Sequence, residues 1–214
     1  MYRKVIKRFF DILLSLIGAI ILSWLFLILI IAIKIDSKGP ILFKQKRVGK
    51  KKNGAITYFN IWKFRTMRVD TPKDVPTHML SNPDQYITGV GKFLRKTSLD
   101  ELPQIFNILS GKMSIIGPRP ALWNQEDLVV ERDKYGANDV LPGLTGWAQI
   151  NGRDELEIPL KAKLDGEYVE RMSFLFDIKC FFGTIVSVLK HDGVVEGGTG
   201  ELKKDKSEET DKQS

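Results

Sequence analysis

From Ile12 to Ile33 the chain reads ILLSLIGAIILSWLFLILIIAI, without one charged side chain. A run of roughly 18 or more apolar residues is the mark of a membrane helix. A cleavable secretory leader has a shorter apolar core, about 7–15 residues, ending at small residues. Here Lys34, Ile35 and Asp36 follow, so the segment reads as a permanent anchor. Basic residues flank it on both sides: Arg3, Lys4, Lys7 and Arg8 before, and Lys34, Lys38, Lys44, Lys46, Arg47 and Lys50 to Lys52 after. The preference for positive charge on the cytoplasmic side then picks no direction for a single crossing. A helix that enters the bilayer, bends and returns to the same face satisfies both flanks, with Ser15, Gly18 and Ser23 as weak bend points. A straight span is the other solution.

Beyond the anchor the pattern changes period. ILFKQKRV (41–48) and ITYFNIWKF (56–64) read as two strands, joined by a basic turn over Lys50 to Gly54. Residues 70–88, with Pro72, Pro76 and Pro83, read as a polar loop. Leu102, Ile105, Phe106 and Leu109 then fall at i, i+3, i+4 and i+7, the stripe of an amphipathic helix, and Gly111 supplies its stop. Ser98 and Glu101 fit a capping box at its start, whereas Pro103 favours a start near Leu102. Either version leaves Asp100 and Glu101 at the helix N-terminus. MSIIGPRPAL (113–122) runs into a proline-braced turn, 124–136 reads as a charged helix, and LPGLTGWAQINGRDE (141–155) as turns. Residues 168–190 form a further helix, too charged at its start to span a bilayer. It is either buried or laid along the membrane interface. ELKKDKSEETDKQS is polar enough to be a disordered tail.

Composition narrows the chemistry. Among 214 residues there is one cysteine, Cys180, and two histidines, His78 and His191. An internal disulfide, a thiolate cluster and a His-rich zinc site are therefore excluded or disfavoured. TGVGK (88–92) lacks the first glycine of a phosphate-binding loop, since Tyr86 stands there, and GGTG (197–200) follows no strand–helix unit. The net charge of +7 sits beside the anchor, where basic residues meet anionic lipid head groups rather than nucleic acid.

The candidate chemistry lies in KTSLDELPQIFNIL (96–109). Acids in a first helical turn can simply complement the helix dipole. Asp100 and Glu101 have particular company, however. Arg95 lies just upstream, Arg119 is held between Pro118 and Pro120, Lys63 and Arg65 end a strand, and Arg153 lies in a turn. Arginine on a rigid turn suits bidentate phosphate recognition, and the N-terminus field is expected to keep a carboxylate ionised. Carboxylates, arginines and a helix terminus together point to phosphate chemistry with a hard metal such as Mg2+.

KFRTM (63–67), RKTSLDELPQIFNILSGKMSIIGPRP (95–120) and PGLTGWAQINGR (142–153), in that order, resemble the bacterial sugar transferase family. These are the monotopic polyprenyl-phosphate phosphoglycosyl transferases, and the likeness runs from Tyr2 to about Lys190. It implies an α+β, mostly helical protein: a re-entrant membrane helix (1–36), a small cytoplasmic catalytic domain (37–200) with amphipathic interfacial helices and a short β-hairpin, and the tail (201–214). It implies an Mg2+-dependent enzyme on the cytoplasmic face of the bacterial inner membrane, touching membrane lipid. Such an enzyme moves a phosphosugar from a UDP-sugar to undecaprenyl phosphate and releases UMP, beginning an exopolysaccharide, capsule or glycan repeat unit. By position Asp100 is the nucleophile that forms a covalent phosphosugar intermediate. Glu101 is its partner in binding Mg2+ or handling a proton, and Lys63, Arg95, Arg119 and Arg153 surround the phosphates. The family's Ser-Pro in mid-anchor is replaced here by Ser23-Trp24, which removes the residue that breaks the helix. An apolar anchor and aromatic helices leave room for a homodimer. A non-catalytic scaffold and a nucleotide-sugar hydrolase are the rival readings.

Overall fold

A computed structural model describes residues 2–71, 83–152 and 156–190. Arg153, the tail and most of the 70–88 loop lie outside the described residues. A π-helical turn, Tyr2–Ile6, leads into α1 (Lys7–Ile21), which is followed after Leu22 by α2 (Ser23–Asp36). The two helices are bent by 62°. Among the described residues no single helix is long and apolar enough to cross a membrane, although this bent pair passes on length and composition.

The bend forms without proline. Leu22 sits at φ −89°, ψ 3°, in the sparsely populated bridge region, and tertiary contacts hold its two sides apart. On α1 a polar stripe of Lys7, Asp11 and Ser15 is buried, at the one-turn spacing of a single helix face. Lys7 Nζ pairs with Asp177 at 2.7 Å. Asp11 Oδ1 accepts from Ser114 Oγ at 3.0 Å and from the Ile115 amide at 2.9 Å. On α2, Leu29 and Ile33 bury against Phe64 and Leu94. The outer faces carry exposed apolar side chains, among them Phe9, Ile20, Trp24 and Ile28.

β1 (Leu42–Val48) and β2 (Tyr58–Phe64) form the expected antiparallel hairpin, with Lys44 opposite Trp62 and Phe43 opposite Lys63. Its turn uses positive φ at Asn53 and Gly54. A second sheet that the sequence pattern does not announce pairs β3 (Ser114–Ile116) in parallel with β4 (Gly143–Thr145). Between the sheets in sequence come α3 (Gly89–Lys96), the 3-10 turn Leu99–Glu101 and α4 (Gln104–Leu109). After β3 come α5 (Glu126–Asp133), then β4, α6 (Trp147–Ile150), α7 (Ile158–Arg171) and α8 (Phe174–Lys190). The segment 141–155, expected to be turns, thus holds both a strand and a short helix.

Residues 168–190 are two helices rather than one. Ser173 interrupts them, taking the Phe176 amide on its hydroxyl at 3.3 Å and the Asp177 amide on its carbonyl at 2.9 Å, as an N-capping residue does. Phe176, Asp177 and Cys180 are buried while Leu175, Phe182 and Val186 are exposed, so α8 is amphipathic. One face of α8 is therefore buried and the other is apolar and exposed.

Candidate active site

The capping box expected at Ser98 does not form. Ser98 has φ 56° and makes no side-chain cap; its amide instead bonds the Arg95 carbonyl at 3.1 Å. A left-handed residue just past a helix end is how helices stop, so Ser98 closes α3 rather than opening the next helix. Asp100 and Glu101 lie on the isolated 3-10 turn, and Pro103 directly precedes α4. The α4 stripe also has a different partner from the core. Gln104, Asn107 and Ile108 are its buried side, with Asn107 bonded to both the Trp62 amide and the Asn60 carbonyl. Phe106 faces outward to Phe26 of α2, ring centroids 5.9 Å apart.

Three strands of chain converge on the two carboxylates. β2 delivers Lys63, whose Nζ is 2.8 Å from Glu101 Oε1 and 3.7 Å from Asp100 Oδ2. The turn after β3 delivers Arg119, which reaches Glu101 Oε1 at 2.7 Å and Oε2 at 3.4 Å. α3 delivers Arg95, whose Nε donates to Thr66 Oγ1 at 2.9 Å. One turn before Arg95, Gly91 lies so near the chain that a Cβ would stand 2.1 Å from the Thr66 carbonyl oxygen. Only glycine permits that approach. Arg119 is placed by a similar crossing, since a Cβ on Gly146 would stand 2.1 Å from the Gly117 carbonyl oxygen.

Adjacency in sequence gives the two acids opposite electrostatic states. Burial raises the Asp100 pKa; Lys63 opposes this, and the neighbouring Glu101 charge adds to it, with Arg95 and Arg119 lowering it further away. At Asp100 the shift thus runs opposite to the lowering expected of a helix terminus, because desolvation outweighs the neighbouring cations. Burial acts on Glu101 too, yet Arg119 and Lys63 together hold it well below the ordinary carboxylate range. Glu101 is a fixed anion clamped by two cations, and Asp100 is the buried, less neutralised carboxylate beside it.

Arg65, which the sequence placed among the phosphate ligands' company, is elsewhere. It is buried and donates to the Ser37 carbonyl at 2.7 Å and to Lys38 at 2.5 Å, closing the turn after α2. Gln45 is not singled out in the sequence, and Arg47 reads there only as part of the basic flank. Gln45 Oε1 takes two bonds from Arg47 at 3.1 and 2.6 Å, and Arg47 Nη1 donates to the Pro120 carbonyl at 3.1 Å. The Val48 amide meets the Ala121 carbonyl at 2.9 Å. This splints the Arg119 turn against β1. The alternation Gln45-x-Arg47 on one strand face was the available signal.

A buried carboxylate with a clamped acidic neighbour, close to a lysine and two arginines, thus lies beside helices whose outer faces are apolar and exposed. The bacterial sugar transferase family model matches residues 2–191, and the chain belongs to that family. It is 40% identical over 189 residues to the undecaprenyl-phosphate glucose phosphotransferase of Komagataeibacter xylinus, an alignment covering 84% of this chain and 35% of that protein. It is 40% identical over 189 residues to the UDP-glucose:undecaprenyl-phosphate glucose-1-phosphate transferase of Escherichia coli (strain K12), covering 85% of this chain and 40% of that one. With the exopolysaccharide production protein PSS of Rhizobium leguminosarum bv. phaseoli it shares 39% identity over 197 residues, 86% of this chain and 96% of the relative. The chain thus spans well under half of the first two proteins and nearly all of the third.

Proposed function

We propose that the protein transfers a sugar 1-phosphate from a UDP-sugar to undecaprenyl phosphate, releasing UMP, as the first membrane step of exopolysaccharide or capsule assembly. The observation that carries this is the placement of Asp100: buried, 3.7 Å from Lys63, and within the field of Arg95 and Arg119. In the first step an Asp100 carboxylate oxygen attacks the β-phosphorus of the donor. The bond from that phosphorus to the bridging oxygen breaks, and UMP leaves. In the second, an oxygen of the lipid phosphate attacks the same phosphorus and Asp100 is released. Both steps bring anion against anion, so the barrier falls with the positive charge fixed around the phosphates. Lys63 and Arg119, held by Glu101, are two such charges, and Arg95 is a third.

Among the described residues no group of three or more His, Cys, Asp or Glu is placed to hold a metal. Mg2+ needs only one or two carboxylates when substrate phosphates complete its shell, and Asp100 and Glu101 fit that requirement. When bound, Mg2+ would neutralise charge on the donor's diphosphate. The bent α1–α2 pair and the exposed face of α8 support a re-entrant anchor with α8 along the cytoplasmic bilayer surface. That arrangement brings the site to a lipid substrate that leaves the bilayer only at about 0.8 kcal/mol per CH2.

The test is purified protein in nanodiscs with a panel of UDP-sugars, Mg2+ and undecaprenyl phosphate, following UMP. Sustained UMP release that needs the lipid acceptor, and is lost in Asp100→Asn, is the expected result. Turnover into water identifies a hydrolase, absence of UMP release with every donor fits a scaffold, and undiminished release in Asp100→Asn removes Asp100 as nucleophile; each outcome overturns the proposal.

A further inference from the structure

At its N-terminal end α1 holds both segments that frame the candidate active site. Arg8 donates to the Ile108 and Leu109 carbonyls at 2.7 and 3.1 Å, satisfying the last turn of α4 as a basic side chain can. That helix starts three residues past Glu101. Further along α1, Asp11 is 3% exposed and holds β3, the strand that leads to Arg119. The Ser114 amide bonds the Pro142 carbonyl on the β4 side at 2.9 Å. The next amide, Ile115, points to the other edge, where no third strand lies among the described residues. Asp11 Oδ1 takes that amide at 2.9 Å and the Ser114 hydroxyl at 3.0 Å. Without it the Ile115 amide and the buried Ser114 hydroxyl would lose the partners that such groups require.

Only residues 110–113 separate α4 from β3, and they turn through Gly111 at φ 78°. α1 spans that link as a splint, with Arg8 on the α4 side and Asp11 on the β3 side. The angle it fixes matters at the far ends, where α4 follows the two carboxylates and β3 runs on to Arg119. Arg119 moves with its strand, since the Gly143 amide bonds the Pro118 carbonyl at 2.9 Å and ties the turn to β4. Arg47 braces the same turn from β1. We propose that Asp11 is a positioning residue: acting through β3, it sets where Arg119 meets Glu101 and the phosphates of the donor. This rests on the transferase reading above. The anchor helix is then part of the active-site frame as well as a tether. Both bonds of Asp11 end on one oxygen, so an acceptor at that point, rather than the charge, is what β3 requires. Lys7 shares the buried face of α1 but pairs with Asp177 of α8, which makes it a control for stability alone.

The experiment compares variants of the full chain in nanodiscs, below the melting temperature of each. Asp11→Ala should slow UMP release about ten- to a hundredfold, the scale of a small misplacement of a charged group. Asp11→Asn keeps an acceptor oxygen in the same place and should restore most of the rate. Lys7→Met should melt early yet turn over close to the wild-type rate. In an Arg119→Ala background, Asp11→Ala should have little further effect, because the two act as one unit. A second readout does not depend on turnover. The Arg119 side chain is 29% exposed, and its modification by phenylglyoxal, followed by peptide mass, should be faster in Asp11→Ala than in wild type or Asp11→Asn. Asparagine as slow as alanine, an equal loss in Lys7→Met, the full loss again in the Arg119→Ala background, or unchanged Arg119 modification overturns the proposal. A wild-type protein without acceptor-dependent UMP release would sink the transferase reading, while faster Arg119 modification in Asp11→Ala would still support Asp11 as the residue that places Arg119.

Discussion

Replacing Asp100 by asparagine and Glu101 by glutamine should move stability in opposite directions, although the two acids are neighbours. Glu101 is the anion for Lys63 at 2.8 Å and Arg119 at 2.7 Å, whose side chains are only 18% and 29% exposed. Deleting one member of a buried ion pair costs about 3–5 kcal/mol. The partial exposure, and the one acceptor oxygen that glutamine keeps, reduce this to about 2–3 kcal/mol. For a chain of this size each kcal/mol moves Tm by roughly 2–4 °C, so Glu101→Gln should melt about 4–12 °C lower. Asp100 has the contrary balance, because its desolvation outweighs Lys63 at 3.7 Å. Asparagine keeps the shape and removes the charge, so Asp100→Asn should melt at the wild-type temperature or up to about 1 kcal/mol more stable, the usual trade between stability and an active site. Circular dichroism melts in nanodiscs at pH 7.5 and low salt, with UMP release measured in parallel, make the comparison. Asp100→Asn melting as low as Glu101→Gln would refute the assignment of Asp100 as the destabilised carboxylate and Glu101 as the clamp.

Further outcomes follow from the same geometry. In the proposed mechanism Asp100 attacks only when ionised, and its pKa is raised, so the UMP burst should fall with decreasing pH at a midpoint above that of an ordinary carboxylate near 3.9; a midpoint below it would contradict the burial argument. In stability the signs are opposed: the Asp100 contribution is present at low pH and lost as pH rises through its elevated pKa, whereas that of Glu101 is present above its unfolded value and lost as pH falls. Arg47→Ala should lower kcat about tenfold through the Pro120 carbonyl, and a double-mutant cycle with Arg119→Ala should show strong coupling; additive losses would remove Arg47 from that role. Lys7→Met should cost about 3 kcal/mol by leaving Asp177 buried without its cation, read as an earlier melt. Cys180 is fully buried and burial, helped by Asp177, pushes its thiol up to about 12, so it should resist a thiol reagent until the protein unfolds.

Period and composition alone determined a good deal. The uncharged run from Ile12, the two strands of the hairpin and the Gly111 stop are all local patterns, because alternation, charge and glycine act within a few residues. Tertiary structure decided the rest. Ser98 could open one helix or close another, and the choice rests on a bond to the Arg95 carbonyl that spacing does not encode. The chain bends at Leu22 without proline because Lys7 and Asp11 dock on α8 and β3 while Ile33 docks on Phe64, contacts distant in sequence. The parallel pairing of Ser114–Ile116 with Gly143–Thr145 joins two segments too short to declare themselves as strands. Above all, two adjacent acids of the same chemistry became a clamped anion and a destabilised one. Only the fold could arrange that, since it depends on which carboxylate Lys63 and Arg119 reach from other parts of the chain.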